Sequence, residues 1–303
     1  MSNERDFSID DSGTVTGYTG LSRDIAIPAE IGGIAVKAIG ENAFRKRGLS
    51  SVVIPEGVET IGASAFYDIR LSSAAIPASV TKIGDNAFAE NKLTELVIPP
   101  GVRKIAEAAF FNNRLSSVVI PEGVSIIGRC AFMDNELTEI AFPESVTEIG
   151  DYAFSRNKLS SVIIPQSVTK IGKYAFSRNN LNSVVIPQGV TEIGYCAFAE
   201  NRLIKAVIPD NVTIRRDAFK NNPITEITIS HNVMFDDEIN DNYVDDGYYN
   251  EDGVYVVGGS EENIYSCFAF DFDGFYSDNG RKAGTYIYDD ENKIWRGKMV
   301  TNG

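Results

Sequence analysis

The residues able to carry catalysis are few and widely separated. The chain holds one histidine, His231, and three cysteines, Cys130, Cys196 and Cys267. A Ser-His-Asp or Cys-His enzyme needs a histidine held against a nucleophile, and zinc sites gather several Cys or His ligands at short spacing. Neither pattern occurs, and His231 reads as a solvated linker residue. No P-loop and no G-x-G-x-x-G is present. The stretch Asp271-Phe272-Asp273-Gly274 to Asp278-Asn279-Gly280 has the carboxylate density of a calcium loop. An EF-hand places its glycine sixth and a glutamate twelfth, whereas Gly274 comes fourth. What remains is an expectation of weak calcium binding by an Asp-rich tail, with no cofactor or metal site otherwise. Paired carboxylates lie in polar acidic runs, with no apolar pocket to lift one pKa for acid-base work. The reading is a protein that is not an enzyme.

Charge divides the chain. Of a net −14, the segment from Thr225 to Gly303 carries 17 acidic and 5 basic residues, net −12, and the preceding 224 residues carry only −2. An acidic tail argues against nucleic acid and anionic membrane as partners. No apolar run approaches the ~18 residues of a membrane span. Met1 to Phe7 contain no apolar signal core, so the sequence leaves localisation open.

Those few reactive residues must be positioned by something, and that something is a repeat. Ala-Phe recurs with Phe44, Phe66, Phe88, Phe110, Phe132, Phe154, Phe176, Phe198 and Phe219, at a step of 22 until a last step of 21. Proline keeps the step from Pro55 to Pro209, and Ile-Gly keeps it from Ile39-Gly40 to Ile193-Gly194, with Ala106 replacing one glycine. Such a period announces a solenoid. In the unit from Leu115 to Asn135, Leu115, Val118 and Ile120 form an L-x-x-V-x-I strand, the leucine-rich-repeat pattern, with these side chains inward. Pro121 ends the strand, because proline cannot donate to a ladder. Val124 and Ile127 return to the core from a second short strand, and Ala131-Phe132 fill the far side from a single helical turn. One unit cannot bury its own apolar face, so coils must stack. At ~4.8 Å per coil, Cys130 and Cys196, three units apart, lie roughly 14 Å from each other, beyond the ~7 Å a disulfide allows. They read as core or half-core thiols.

Asn91, Asn113, Asn135, Asn157, Asn179, Asn201 and Asn222 each follow a phenylalanine by three. They read as a buried amide ladder bonding backbone groups. Arg47 and Ile69 break it in the first units, as terminal repeats do.

Two outward stripes could bind. Val53, Ala75, Val97, Val119, Ala141, Ile163, Val185 and Val207 form an apolar row beside Ser51, Ser73, Glu95, Ser117, Glu139, Ser161, Ser183 and Lys205. An apolar row of that length marks a partner surface, or reflects only the fitness of valine for strands. Val53, Val97, Val119, Ile163, Val185 and Val207 are the candidate partner-binding residues. A second row, Arg70, Lys92, Arg114, Lys158 and Arg202, interrupted by Glu136 and Asn180, suits acidic glycans, the acidic tail, or a solvated turn.

Past residue 230 the repeat stops. Val254–Val257 reads as a strand, and Gly284–Tyr288 with Lys293–Arg296 as a hairpin. Its Tyr286, Tyr288 and Trp295 would cap the open end of the solenoid or join a second copy, since aromatic residues favour interface cores. The domains are therefore an N-terminal cap with a first atypical repeat (1–38), the solenoid (39–230) and an acidic, Tyr-rich β domain (231–303). The fold class is mainly β, a solenoid of parallel strands with short helical turns plus a small β-rich C-terminal domain.

The motif I-P-x-x-V-x-x-I-G-x-x-A-F-x-x-N, as from Ile164 to Asn179, resembles the BspA-like leucine-rich repeats of bacterial surface proteins, including those of treponemes. Tyr18 to Pro28, followed by Ile31-Gly32-Gly33-Ile34-Ala35-Val36, is similar to that family's first unit, in which Gly32-Gly33 would turn a capping hairpin. Phe275 to Tyr286 looks like the short tail of treponemal relatives. The resemblance spans about residues 7–230. It implies an adhesin-like, non-enzymatic role: binding a protein or extracellular matrix component, and so attaching to host matrix or other cells. Export or a cell-surface location would follow. The competing expectation is an intracellular scaffold that forms homo-oligomers through its C-terminal domain.

Overall fold

The computed structural model describes residues 3–236, 247–249, 255–257, 284–289 and 294–298. Each coil runs through a front strand, a proline corner, a back strand and a turn edge. The back strands Lys104–Ile105, Ile126–Ile127, Glu148–Ile149, Lys170–Ile171, Glu192–Ile193, Thr213–Arg215 and Met234–Asp236 form one seven-stranded sheet. Their pairing is parallel and puts Ile127 against Ile149, Ile149 against Ile171 and Ile171 against Ile193. A slip of one residue would turn this isoleucine column out to water, and every one of these isoleucines is buried. The single 21-residue step is absorbed without loss of register, Ile193 pairing with Ile214.

The helical turn expected at Ala131-Phe132 does not form. Cys130 and Asp134 both adopt positive φ, 53° and 54°, and the same two positions are positive in coil after coil, from Asn42 and Lys46 to Asp217 and Asn221. Left-handed residues interrupt a right-handed helix. The amides they release turn outward along the solenoid: Cys130, Phe132 and Asp134 donate to the carbonyls of Asp151, Ala153 and Ser155 at 2.8, 2.9 and 3.0 Å. The turn edge is thus a third ladder between coils. It stacks the phenylalanines Phe44 to Phe219 in one column, with ring centroids 5.2–5.7 Å apart and planes within 24°, inside the range for offset stacking.

The asparagine ladder lies behind that column. Asn135 Nδ2 donates to the carbonyls of Phe110, Phe132 and Met133 at 3.0, 3.2 and 3.3 Å. Its Oδ1 accepts from the Leu115 amide at 3.0 Å. One buried amide therefore ties its own coil to the coil before. The same bonds recur at Asn91, Asn113, Asn157, Asn179, Asn201 and Asn222. Asn91 also serves the first coils, which lack their own: its Oδ1 accepts from Ile69 and Leu71.

Coil spacing is set on the back side by glycine. A Cβ at Gly128 would lie 2.7 Å from the Ile105 carbonyl, and one at Gly150 would lie 2.8 Å from the Ile127 carbonyl. Ala106 stands at this position in its own coil. There the pairing fails: Lys82–Ile83 ends one back sheet and Lys104–Ile105 begins the next. The front sheet stops at the same junction, between Ala74–Ala75 and Glu95–Val97. The turn edge carries across it, Phe88 donating to the Ala109 carbonyl at 2.9 Å. The Phe88–Phe110 spacing, 5.7 Å, is the widest of the column. The methyl group of Ala106 holds the two coils apart where the others touch.

Added strands extend the sheets at both ends. Phe7–Ile9 and Thr14–Tyr18 pair antiparallel, and Val15 then pairs with Ile39 to start the back sheet. Gly32 and Gly33, at φ 58° and 82°, turn the hairpin between Glu30–Ile31 and Ile34–Ala35. Leu21 falls one residue out of phase with Leu49 relative to the next proline and is fully exposed. At the other end Gly284–Asp289 pairs antiparallel with the last front strand, Glu226–Ile229, and Ile294–Lys298 continues that sheet. Gly247–Tyr249 and Tyr255–Val257 form a separate hairpin. Cys267 and the carboxylate run from Asp271 to Gly280 lie outside the described residues.

Cys130 is half-buried and Cys196 buried, both as free thiols. Burial pushes each thiol up to about 12 from an ordinary 9.0.

Replacing Asn135 with leucine orphans a buried amide and several carbonyls, and should cost about 3 kcal/mol, read from the urea midpoint. Gly150→Ala forces its methyl into the coil before and should cost about 1–3 kcal/mol by the same measurement. Because the folded state favours the protonated thiol of Cys196, its contribution should be complete below pH 9 and fade as pH rises towards 12. Accordingly iodoacetamide at pH 8 should label Cys196 only after unfolding.

A candidate docking face on the front sheet

The front strands alternate inward and outward, and the outward residues build the only long apolar row among the described residues. Val52, Leu96, Val162, Val184 and Ala206 point into the core, and Val118 packs against it partly buried. Their successors Val53, Val97, Val119, Ile163, Val185 and Val207 point out, with 48–84% of their surface exposed, Ile163 the most. All six candidate residues therefore lie on one face. The backbone beneath them is less regular than the sequence implied. Val53 pairs beside Ala75, and Val97 beside Val119. Ile163, Val185 and Val207 are joined by single bridges, and no strand forms at Glu139–Ala141. The row is thus three short segments, separated at the Ala106 junction and near Ala141.

The row ends at the C-terminal hairpin. Val207 is followed across the sheet by Thr228 and then Thr285, whose hydroxyls lie 2.9 Å apart. Tyr286 and Tyr288 turn to the other side of that strand and are buried in the solenoid core, while Ile287 is partly exposed. Trp295 stands opposite Tyr288 in the strand pairing. The Tyr288 amide also donates to the Thr225 carbonyl at 2.8 Å. These contacts place the hairpin on the last coil.

The charged row behaves differently. Lys158 bonds Glu136 at 2.8 Å, Arg156 lies 3.7 Å from Asp134, and Arg178 lies 3.1 Å from Glu200. Within the row itself Lys158 is the cation bonded to a carboxylate, while the neighbouring Arg156 and Arg178 pair with carboxylates of adjacent coils. Two carboxyls on this edge, Glu90 and Asp134, are raised by burial; Asn112 and the arginines nearby oppose the rise. Sequence reasoning had not marked either one. They lie within the charge ladder of the turn edge, with no histidine, cysteine nucleophile or paired acid aimed at a common point. His231 is exposed beside Asp210 at 3.4 Å. Among the described residues no three His, Cys, Asp or Glu side chains gather as a metal site would need, and no helix is long and apolar enough to cross a membrane.

What the residues share is an exposed, repeating face over a fully packed interior, and comparison with known proteins agrees. Residues 24–137 and 125–242 match the model of the BspA type leucine rich repeat region, in six copies. A leucine-rich repeat protein from Bacteroides ovatus has a similar structure, with 22% identity, a TM-score of 0.50 and 76% of each chain covered. The T. pallidum leucine rich repeat protein is 22% identical, with a TM-score of 0.40, covering 62% of this chain and 81% of its own. A leucine rich cell surface protein from Faecalibacterium prausnitzii is also 22% identical, with a TM-score of 0.33, covering 77% of this chain and 93% of its own. No curated protein matches the chain. The family match covers well over half the sequence, and so this protein belongs to the BspA-type leucine-rich repeat family.

Proposed function

We propose that the protein is a non-enzymatic binding module with an adhesin-like role, attaching to an extracellular matrix component or to another cell through the front face. Leucine-rich repeat proteins of this kind bind other proteins, and the family gives that general role. The observation that carries the finer reading is the exposed row from Val53 to Val207. A water-facing column of aliphatic side chains is costly to keep wet and gains by being covered. Its repeat geometry suits a large or extended ligand that touches several coils, rather than a small molecule held at one point. The same geometry disfavours catalysis, because inward positions are fixed by packing and outward ones repeat.

The hairpin carrying Tyr286 and Tyr288 is read as an end cap. The rings of Tyr286 and Tyr288 pack into the solenoid core, which leaves these two unavailable to a second copy. This favours a chain that acts through its side face over an internal scaffold assembled through its C-terminal domain.

The test is adhesion of beads coated with the chain to a layer of reconstituted basement membrane. Val119→Glu with Ile163→Glu should reduce bead retention at least about tenfold, as buried charge in a contact does. Its thermal midpoint should match the parent, since both sites are surface-exposed. Equal retention by the folded double variant would overturn the reading.

A further inference from the structure

Resting on that docking face, we infer that its partner is a cationic polypeptide: a segment bearing lysine or arginine beside apolar side chains, bound over the half of the row around Val97 and Val119. The argument is the distribution of charge around the row. Glu95 precedes Val97 by two residues on the same outward face, about 7 Å along the strand, and Glu139 precedes Ala141 by two residues in a segment that forms no strand, exposed like Glu95. On the opposite side, beyond the proline corner, stand Glu122 and Glu144, with Glu56 two coils before Val97 and across the Ala106 junction. All five carboxylates are exposed, and none is in an ion pair among the described residues. One cation stands at the proline corner itself, Arg103, whose guanidinium donates to the carbonyls of Pro100 and Glu122 at 3.2 and 3.5 Å; the other nearby cations are those of the charged row. Arg114 lies five residues before Val119, about 16 Å along an extended chain. That is twice the ~8 Å screening length of physiological salt, whereas Glu95 and Glu139 fall within one. Serine and threonine fill the space between, as at Ser116 and Ser117. A ligand settling on the valines therefore meets unpaired carboxylates on the strand side, Glu95 and Glu139, and on the corner side two carboxylates, Glu122 and Glu144, against the single cation Arg103.

The other half of the row is different. Ile163 and Val185 are flanked by Ser161, Ser183, Gln166 and Gln188. Near Val207 the lysine is already used, with Lys205 bonded to Glu226 at 2.8 Å. This half is apolar, and its one corner carboxylate, Asp210, accepts from the His231 amide at 2.7 Å. Together the two halves describe a ligand with direction, its cationic end over Val97 and Val119 and its apolar end over Ile163 and Val185. The Ala106 junction falls at the start of the acidic half, between Ala75 and Val97.

The experiment measures binding of three synthetic ten-residue peptides to the full chain by fluorescence anisotropy. One alternates lysine and valine, the second serine and valine, and the third glutamate and valine. The expected order is lysine tightest and glutamate weakest, with the lysine peptide losing affinity as salt is raised from 50 to about 500 mM. In the variant Glu95→Gln, Glu122→Gln, Glu139→Gln, Glu144→Gln, the advantage of lysine over serine should shrink roughly tenfold, several exposed pairs at a few tenths of a kcal/mol each. Serine and lysine peptides binding equally, or an unchanged lysine advantage in the variant, would overturn the cationic partner while leaving the docking face in place. No binding by any of the three would overturn the docking face on which it rests.

Discussion

Everything in this molecule depends on neighbouring coils lying one strand spacing apart, and the buried asparagine amide is the contact that enforces it from the inside. Each one satisfies donors and acceptors of two coils at once. A buried amide left half-bonded is expensive, so the ladder rewards stacking and penalises any gap. The phenylalanine column and the turn-edge amides repeat the same distance beside it. The glycines opposite remove the one atom that would prevent it. Stability in such an array comes from contacts between nearest neighbours, and the back sheet breaks at the coil where Ala106 stands in place of the glycine.

That constraint also explains where function can reside. Positions facing inward are held by packing between coils and carry no information about a ligand. The turn edge pairs some of its charges from one coil to the next, as Lys158–Glu136 and Arg178–Glu200 illustrate. The front face is the exception, because its outward side chains contact nothing further out. A solenoid that must repeat its interior is free to vary there, and the variation it shows is valine and isoleucine flanked unevenly by carboxylates.

The C-terminal hairpin fits the same logic. A stack of coils ends in an exposed core and an unpaired strand edge, a hazard for uncontrolled association. Here the edge of Glu226–Ile229 is met antiparallel by Gly284–Asp289, with Tyr286 and Tyr288 laid over the last coil. At the N-terminus the strands around Val15 and the Gly32-Gly33 hairpin do the equivalent work with different residues.

The sequence by itself determined the period, the identity of the inward residues, the asparagine ladder and the six outward aliphatic positions. All of these follow from spacing, because in a repeat the same neighbour recurs at a fixed offset and one unit is evidence for the rest. Three things required the tertiary structure. The Ala-Phe segment is a pair of left-handed turns and not a helix, since its amides bond the next coil, a partner 21 residues away that no local propensity registers. The separation at Ala106 was visible as a substitution, but its effect depends on the distance to the carbonyl of the preceding coil. The charges flanking the valine row were legible in the sequence, but that Lys205 beside Val207 is held by Glu226 was not, because ion pairs between coils form only when the chain has folded.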